Sequence, residues 1–481
     1  MKKKLIIITI LVSLILVFFY LGRTAIVSTT GKTFPEKLAN KIPENTKNWI
    51  KKTFFTSHSL RLDIRNQKQQ IKELTFRENK KNKLIIEKFK KIYFERMEGY
   101  KTNNDEYKVT LFQTKFLANG KNDFAIASGY VGIYEENLIF VTGDALMFKI
   151  KLSDLVKSKM DFNADLINTN LTDIIKTEGF FRKSYYGIKD LTIFNNKVFL
   201  SFSNEVKKDC FNTGILIADL DLDNLNFEKH SLSEKDCAPV GDMDNALQGG
   251  RIVKFSDEEV FFTHGDWFQG NSAQNKDSIF GKILKYNFVN RSYEVVSYGH
   301  RNPQGLFYLK DRNILIETEH GPIGGDEVNI VDLGNKELDR NYGWPIASYG
   351  KGTQKNAGVI SSGTKDYKSH DGYIEPIKYY VPSIGISEIL KVPNRFFKED
   401  NTNENFFIAT LGTKISEGDL SLHHLQINKD NNEIISSDII HFQERIRDMV
   451  YSEKLNSLIL FIESDRMYKG GPSIAIFGQK K

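Results

Sequence analysis

Cysteine is almost missing from this chain, with only Cys210 and Cys237 among 481 residues. Two thiols exclude a four-cysteine zinc ribbon and a disulfide-stapled scaffold, and leave room for one bridge at most. A dominant charge is missing too, since 67 Lys and Arg stand against 61 Asp and Glu, a net +6. No long basic block is interleaved with aromatics, so no nucleic-acid partner is expected. Hydrophobic residues at 40% and charged residues at 27% exclude both a disordered tail and a multispanning membrane protein. The expected body is a water-soluble globule with ample length for a core.

One long apolar run does occur. Three lysines (Lys2 to Lys4) precede Leu5 to Gly22, which holds no charge. Eighteen helical residues at about 1.5 Å each nearly cross a ~30 Å hydrocarbon slab. Residues 1–30 are therefore expected to be a single-pass signal anchor in the inner (cytoplasmic) membrane, with the bulk facing the periplasm. A cleaved signal peptide and a buried core helix are the alternatives. Residues 31–104 are polar and Lys-rich. Apolar positions recur at mixed three and four spacings from Asn66 to Met97, which predicts a helical stalk. The basic stretch Arg77 to Lys91 reads either as a solvated helix face or as a lipid-headgroup contact.

From residue 105 to 481 the pattern becomes β-rich. Six copies of a turn, an apolar strand, a loop and a second strand are anchored at Leu138, Val198, Val260, Ile314, Phe406 and Leu458. The steps between anchors are 60, 62, 54, 92 and 52 residues. Near-constant spacing of a four-stranded unit predicts an all-β fold, a six-bladed β-propeller, whose ring leaves few strand edges exposed. A large sandwich or two smaller β domains is the rival. The long step predicts an insertion between about Asn341 and Pro393.

The densest unusual run spans Ser297 to Pro345. GHRNPQG (Gly299 to Gly305) packs a cation, an amide and turn formers into one loop. EHGP (Glu319 to Pro322) follows an apolar strand, and backbone carbonyls freed at a Gly-Pro turn are hard oxygen donors suited to Ca²⁺, with Asp326 and Glu327 close by. Any one of these tripeptides alone would read as a propeller turn.

Together, GHRNPQG, EHGPIGGDEVN and NYGWP resemble the soluble quinoprotein glucose dehydrogenase and aldose sugar dehydrogenase family, also called glucose/sorbosone dehydrogenases. These are six-bladed propellers that use pyrroloquinoline quinone (PQQ) and Ca²⁺. Weaker similarity runs from about residue 125 to 465. The resemblance implies that Arg301 and Asn302 contact the quinone oxygens, and that the carbonyls of Gly321 and Pro322 bind the calcium. It makes Arg445 and Arg447, in ERIRDM, partners of the cofactor carboxylates. Alternate strand residues share a face, and a guanidinium fork suits a carboxylate. Glu327 and Tyr342 match a second, structural calcium site of some members, although Gly352 falls near where another ligand there is expected.

The resemblance breaks at the catalytic position. The family base is a histidine upstream of a Gly-Arg-Ile/Leu strand, and this chain has Leu247 there. A family glutamine aligns near Tyr185, and the cofactor lysine has Gly412 in register with Lys414 two residues away. Asp266 matches the aspartate that orients the base. His264, two residues earlier on the same strand face, is the candidate replacement base, with a structural role as the alternative. His300 and His320 read as structural. Given export, Cys210 and Cys237 are expected to bridge, against two free buried thiols.

The implied activity is oxidation of an aldose or related sugar alcohol, with electrons passing to a quinone or cytochrome acceptor at the membrane. The missing histidine keeps a second reading open, an inactive propeller that binds carbohydrate or a protein. A calcium-dependent lactonase is the third.

Overall fold

Each of the six anchor residues sits on the second strand of a four-stranded antiparallel sheet. In the computed structural model Leu138 lies in Asn137–Thr142, Val198 in Lys197–Lys207 and Val260 in Glu259–His264. Ile314 lies in Ile314–Glu319, Phe406 in Glu404–Thr410 and Leu458 in Ser457–Glu463. All six side chains are buried, as expected of inner strands packed on both faces.

The structure describes residues 90–97, 99–114, 128–143, 145–157, 161–175, 187–239, 246–353, 364–366, 368–397, 403–463 and 473–480. They belong to one unit, Leu74–Lys481. The apolar segment, the basic stretch up to Phe89 and Tyr185 lie outside the described residues. No helix among the described residues is long and apolar enough to cross a membrane.

The sheets are numbered here as blades 1 to 6 in chain order. Their first strands are Gly129–Tyr134, Ile188–Phe194, Gly249–Lys254, Pro303–Leu309, Ile386–Val392 and Arg445–Ser452. Each first strand packs against the next, and the sixth returns to the first. Six sheets closing a ring is the architecture of a β-propeller. Blade 6 joins a strand that precedes blade 1 in sequence to three strands that follow blade 5. Its outer strand is Tyr107–Gln113, paired with Ser473–Gln479 from Tyr107 opposite Gln479 to Gln113 opposite Ser473.

The helical expectation fails at its C-terminal end. Lys91–Met97 is a strand whose first half pairs with Phe162–Leu166 of blade 1 and whose second half pairs with Tyr107–Gln113 of blade 6. It stitches the first and last blades into one nine-stranded sheet. The reason is local alternation: Ile92 and Phe94 point inward, both buried, while Lys91, Tyr93 and Glu95 point out. The Phe94 ring stacks on Phe162 at 5.0 Å between centroids. The insertion is also placed differently, since its last strand, Lys378–Tyr380, is the fourth strand of blade 4, paired with Asp326–Asp332. The extra length therefore lies within blade 4, before Ile386 opens blade 5.

A single buried arginine ties the first strands together. Arg251 of blade 3 places Nη1 2.7 Å from Asp190 of blade 2, 2.5 Å from Glu388 of blade 5 and 2.7 Å from Asp448 of blade 6. Its Nε donates to the Gln304 carbonyl of blade 4 at 3.0 Å, and the guanidinium lies 5.6 Å from the Tyr130 ring of blade 1. Asp190 and Asp448 also accept backbone N–H bonds from Ile252 and Val131, so the charges are fixed in place. Cys210 and Cys237 form a disulfide.

Candidate active site

The GHRNPQG loop leads into the first strand of blade 4, and its glycines are required where they stand. Gly299 has φ +77°, and a Cβ there would come within 2.4 Å of Asn341 Oδ1. A Cβ on Gly305 would come within 2.3 Å of Thr318 Oγ1. NYGWP docks on this loop, with Trp344 N donating to the Gly299 carbonyl at 2.9 Å. EHGP docks from the other side, with Arg301 Nη1 donating to the carbonyls of His320 at 3.0 Å and Gly321 at 2.5 Å. The three motifs thus meet around Arg301.

Arg301 is held by charge and by an aromatic face. Its backbone N donates to Glu319 Oε2 at 2.6 Å, and its guanidinium lies 5.3 Å from the Trp344 ring. The Trp344 indole in turn donates to Asp266 Oδ2 at 2.7 Å, while Phe268 N donates to Oδ1 at 2.9 Å. Burial raises the Asp266 carboxyl to about 7, against the pull of Arg301. Asp266 therefore positions the indole that backs Arg301.

Blade 6 supplies the other two arginines. Arg445 Nε and Nη2 donate to Glu463 Oε2 at 3.1 and 3.0 Å, and Arg447 Nε donates to Oε1 at 2.5 Å. Arg445 Nη1 also donates to the Leu411 carbonyl. Burial alone would raise Glu463, but Arg447 and then Arg445 hold it down at about 2. Both arginines therefore share one face, as their spacing required. Arg447 Nη1 reaches Gln304 Oε1 at 2.9 Å, and Gln304 Nε2 reaches Asn302 Oδ1 at 3.1 Å, which also accepts from Gly249 N at 3.1 Å. This chain of bonds links Arg447 to Asn302 across the ring.

Two residues here were not expected from sequence. Lys189, on the first strand of blade 2, is lowered to about 7 by burial and by Arg447, against Glu463. Glu463 ends the second strand of blade 6, directly opposite Arg445, and a carboxylate paired with R-x-R on the neighbouring strand is the signal that would have found it. Lys414 is not part of the site, since its ammonium pairs with Glu417 at 3.0 Å and the side chain is 66% exposed.

His264 is not placed as a base. It is fully buried, its Nε2 accepts from Thr213 N at 3.1 Å, and its Nδ1 donates to the Gly265 carbonyl at 2.8 Å. Burial lowers it to about 3. With both nitrogens committed to backbone, the replacement-base expectation is corrected to a structural role. Leu247 is buried, and its carbonyl accepts from Trp267 N at 2.9 Å. The imidazole that does open partly to the site is His320, at 23% side-chain exposure, lowered to about 4 by burial despite Asp326, with Arg301, Arg447 and Arg445 all around it.

The residues of the second calcium pair have protein partners as well. Glu327 Oε1 is taken by His370 Nε2 at 3.0 Å, and the Tyr342 hydroxyl donates to the Ile330 carbonyl at 2.5 Å.

The donor set fits PQQ, a planar quinone that carries carboxylates. Arg445 and Arg447 share the one carboxylate of Glu463, and with Arg301 they gather around His320, an arrangement suited to an acidic ligand. For calcium the fit is narrower. The Gly321 carbonyl already accepts from Arg301, and its second lone pair is the one available to an ion.

The glucose/sorbosone dehydrogenase family model matches residues 187–467. The chain is 37% identical over 115 residues to an aldose sugar dehydrogenase of Escherichia coli, covering 21% of this chain and 30% of that protein. It is 35% identical over 133 residues to quinoprotein glucose dehydrogenase B of Acinetobacter calcoaceticus, covering 21% and 27%. The chain spans at most 56% of the length of the curated relatives it matches. In fold it is similar to the PQQ-bound aldose sugar dehydrogenase of Streptomyces coelicolor, with a TM-score of 0.51 at 17% identity over 78% of this chain and 99% of that one. The matched span exceeds half of the chain and contains Arg301, Asn302, Arg445, Arg447 and the Gly321-Pro322 turn. The chain belongs to the glucose/sorbosone dehydrogenase family.

Proposed function

We propose that this protein binds PQQ with calcium and oxidises an aldose or related sugar alcohol. The observation that carries the reading is the convergence of Arg301, Arg445 and Arg447 on His320, with Arg445 and Arg447 sharing the one carboxylate of Glu463. Arg445 and Arg447 would pair with the cofactor carboxylates, and Glu463 keeps their forks aimed. Arg301 and Asn302 would face the quinone oxygens, with Trp344 and Asp266 holding Arg301 at its angle. When bound, PQQ supplies the two-electron acceptor chemistry, and calcium coordinated by Gly321 and Pro322 carbonyls supplies polarisation. His320, a partly exposed imidazole beside Arg301, is the candidate to take the sugar hydroxyl proton.

A second reading has its own support, in that Leu247 stands at the base position and His264 is locked to backbone. On that reading the propeller binds its ligands without turnover. The deciding assay mixes the full chain with PQQ and Ca²⁺, then adds aldoses and a redox dye. Sugar-dependent dye reduction supports oxidation, and PQQ binding without reduction supports the inactive propeller.

The setting is proposed as the periplasmic side of the inner membrane, through the apolar segment Leu5 to Gly22. The Cys210–Cys237 bridge supports an oxidising compartment. A quinone or cytochrome would then be the electron acceptor. Protease protection of the C-terminal body in intact cells, lost when the outer membrane is opened, is the result expected.

A further inference from the structure

One face of blade 4 buries three carboxylates, and the quinone reading uses none of them as a ligand. Glu317 and Glu319 are alternate residues on Ile314–Glu319, and they stand directly opposite Asn329 and Glu327 on Asp326–Asp332. All four are buried, Glu317 and Asn329 completely. Like charges across a strand pair repel, and an unpaired charge out of water costs several kcal/mol. Such a face needs cations.

Glu327 has its own, His370 at 3.0 Å, a histidine raised above its usual value because the Glu327 hydrogen bond and charge outweigh burial. Glu319 Oε2 accepts from Arg301 N at 2.6 Å, and Glu317 has no cation paired with it among the described residues. What they share is the amide of Asn329, whose Nδ2 lies 3.2 Å from Glu317, 3.3 Å from Glu319 and 3.4 Å from Glu327. That amide reaches only one oxygen of Glu317 and leaves Oε1 without a partner.

The remaining side chain is His300. Its Nε2 is bonded to Ser297 Oγ at 2.8 Å, and its ring stacks on Tyr342 at 4.6 Å. Its Nδ1 has no hydrogen-bond partner, and neither do Glu317 Oε1 and Asn329 Oδ1, all three fully buried. Buried polar atoms left without partners are rare enough to need a cause. One ligand atom each from His300, Glu317 and Glu319 lies within 4.8 Å of the others. His300 Nδ1 to Glu319 Oε1 is 3.5 Å, close to the roughly 3.4 Å between two ligands of a tetrahedral ion bound at about 2.1 Å.

We propose that His300, Glu317 and Glu319 hold a divalent transition-metal ion, of the Zn²⁺ or Mn²⁺ kind, inside blade 4. The imidazole nitrogen and the small ligand number select against Ca²⁺, which takes six to eight oxygens. Ser297 fixes the His300 ring through Nε2, as the outer partners of metal-bound histidines do. The ion would brace the loop that carries the quinone site, since His300 adjoins Arg301 and Glu319 Oε2 accepts from Arg301 N.

The test is a metal count on the full chain, purified without chelator and dialysed against metal-free buffer. We expect one transition-metal ion per chain, counted separately from calcium. Glu317→Gln keeps the side-chain shape, and its occupancy should fall by more than about tenfold while its circular dichroism is unchanged. With Ca²⁺ kept in excess, a chelator selective for transition metals should lower the Tm of the parent and leave that of Glu317→Gln unmoved. Absence of transition metal in the parent, with no rise in Tm on adding Zn²⁺ or Mn²⁺, would overturn the proposal and leave Glu317 as a buried neutral acid. Calcium alone, or metal retained in full by Glu317→Gln, would overturn it too. The count needs no PQQ, so failure of the quinone reading would leave it standing.

Discussion

Glu463 is the residue on which the arginine pair depends, and replacing it with glutamine gives a quantitative test. Its carboxylate is fully buried and accepts from both Arg445 and Arg447. Its folded value of about 2 lies below the ordinary 4.5. A depressed carboxylate stabilises the fold at pH above its unfolded value, and that contribution is lost as pH falls through the folded one. At about 1.4 kcal/mol per pH unit the contribution near neutrality is roughly 3 kcal/mol. Leaving two arginines without their shared carboxylate points to the same range, about 3 to 5 kcal/mol. Urea unfolding of the parent and of Glu463→Gln, from pH 7 down to pH 2.5, measures the difference directly. It should be about 3 kcal/mol at pH 7, hold to about pH 5, and shrink steadily below pH 4.5. A difference under about 1 kcal/mol at pH 7, or one that does not change with pH, would refute the reasoning.

Three further outcomes are expected. Arg251→Met leaves Asp190, Glu388 and Asp448 facing one another without a cation, and should cost about 3 to 5 kcal/mol in urea unfolding, with partial recovery at low pH as the acids protonate. Phe94→Ala removes a ring from the stitch between blades 1 and 6, and should cost about 3 to 5 kcal/mol by the same assay. A chain shortened to begin near Asp105 loses that strand altogether, and should melt at lower temperature than one that begins before Lys90.

The repeat was readable because the second strand of every blade is an apolar run, and Leu138 through Leu458 mark those strands one by one. The GHRNPQG loop stood out because its chemistry is rare, with Arg301 and Asn302 between two constrained glycines. The strand Lys91–Met97 was hidden because only two inward residues, Ile92 and Phe94, carry its alternation, and they fall beside lysines spaced like a helix surface. Glu463 was visible only by pairing R-x-R with the next strand, and Lys189 has no local signal, since its role arises from neighbours on other strands. His264 shows the opposite error. Its spacing from Asp266 was right for a shared face, but spacing does not tell whether a nitrogen is already bonded to backbone.

The central claim is that the arginines of blades 4 and 6 form one anion site for PQQ. The most direct measurement is a fluorescence titration of the full chain with PQQ in Ca²⁺, repeated with Arg447→Ala and Arg301→Ala. Saturable one-to-one binding, weakened about tenfold or more in each variant, is the result expected when a charge-assisted bond is lost. Absence of binding to the parent, or equal affinity in all three proteins, would contradict it.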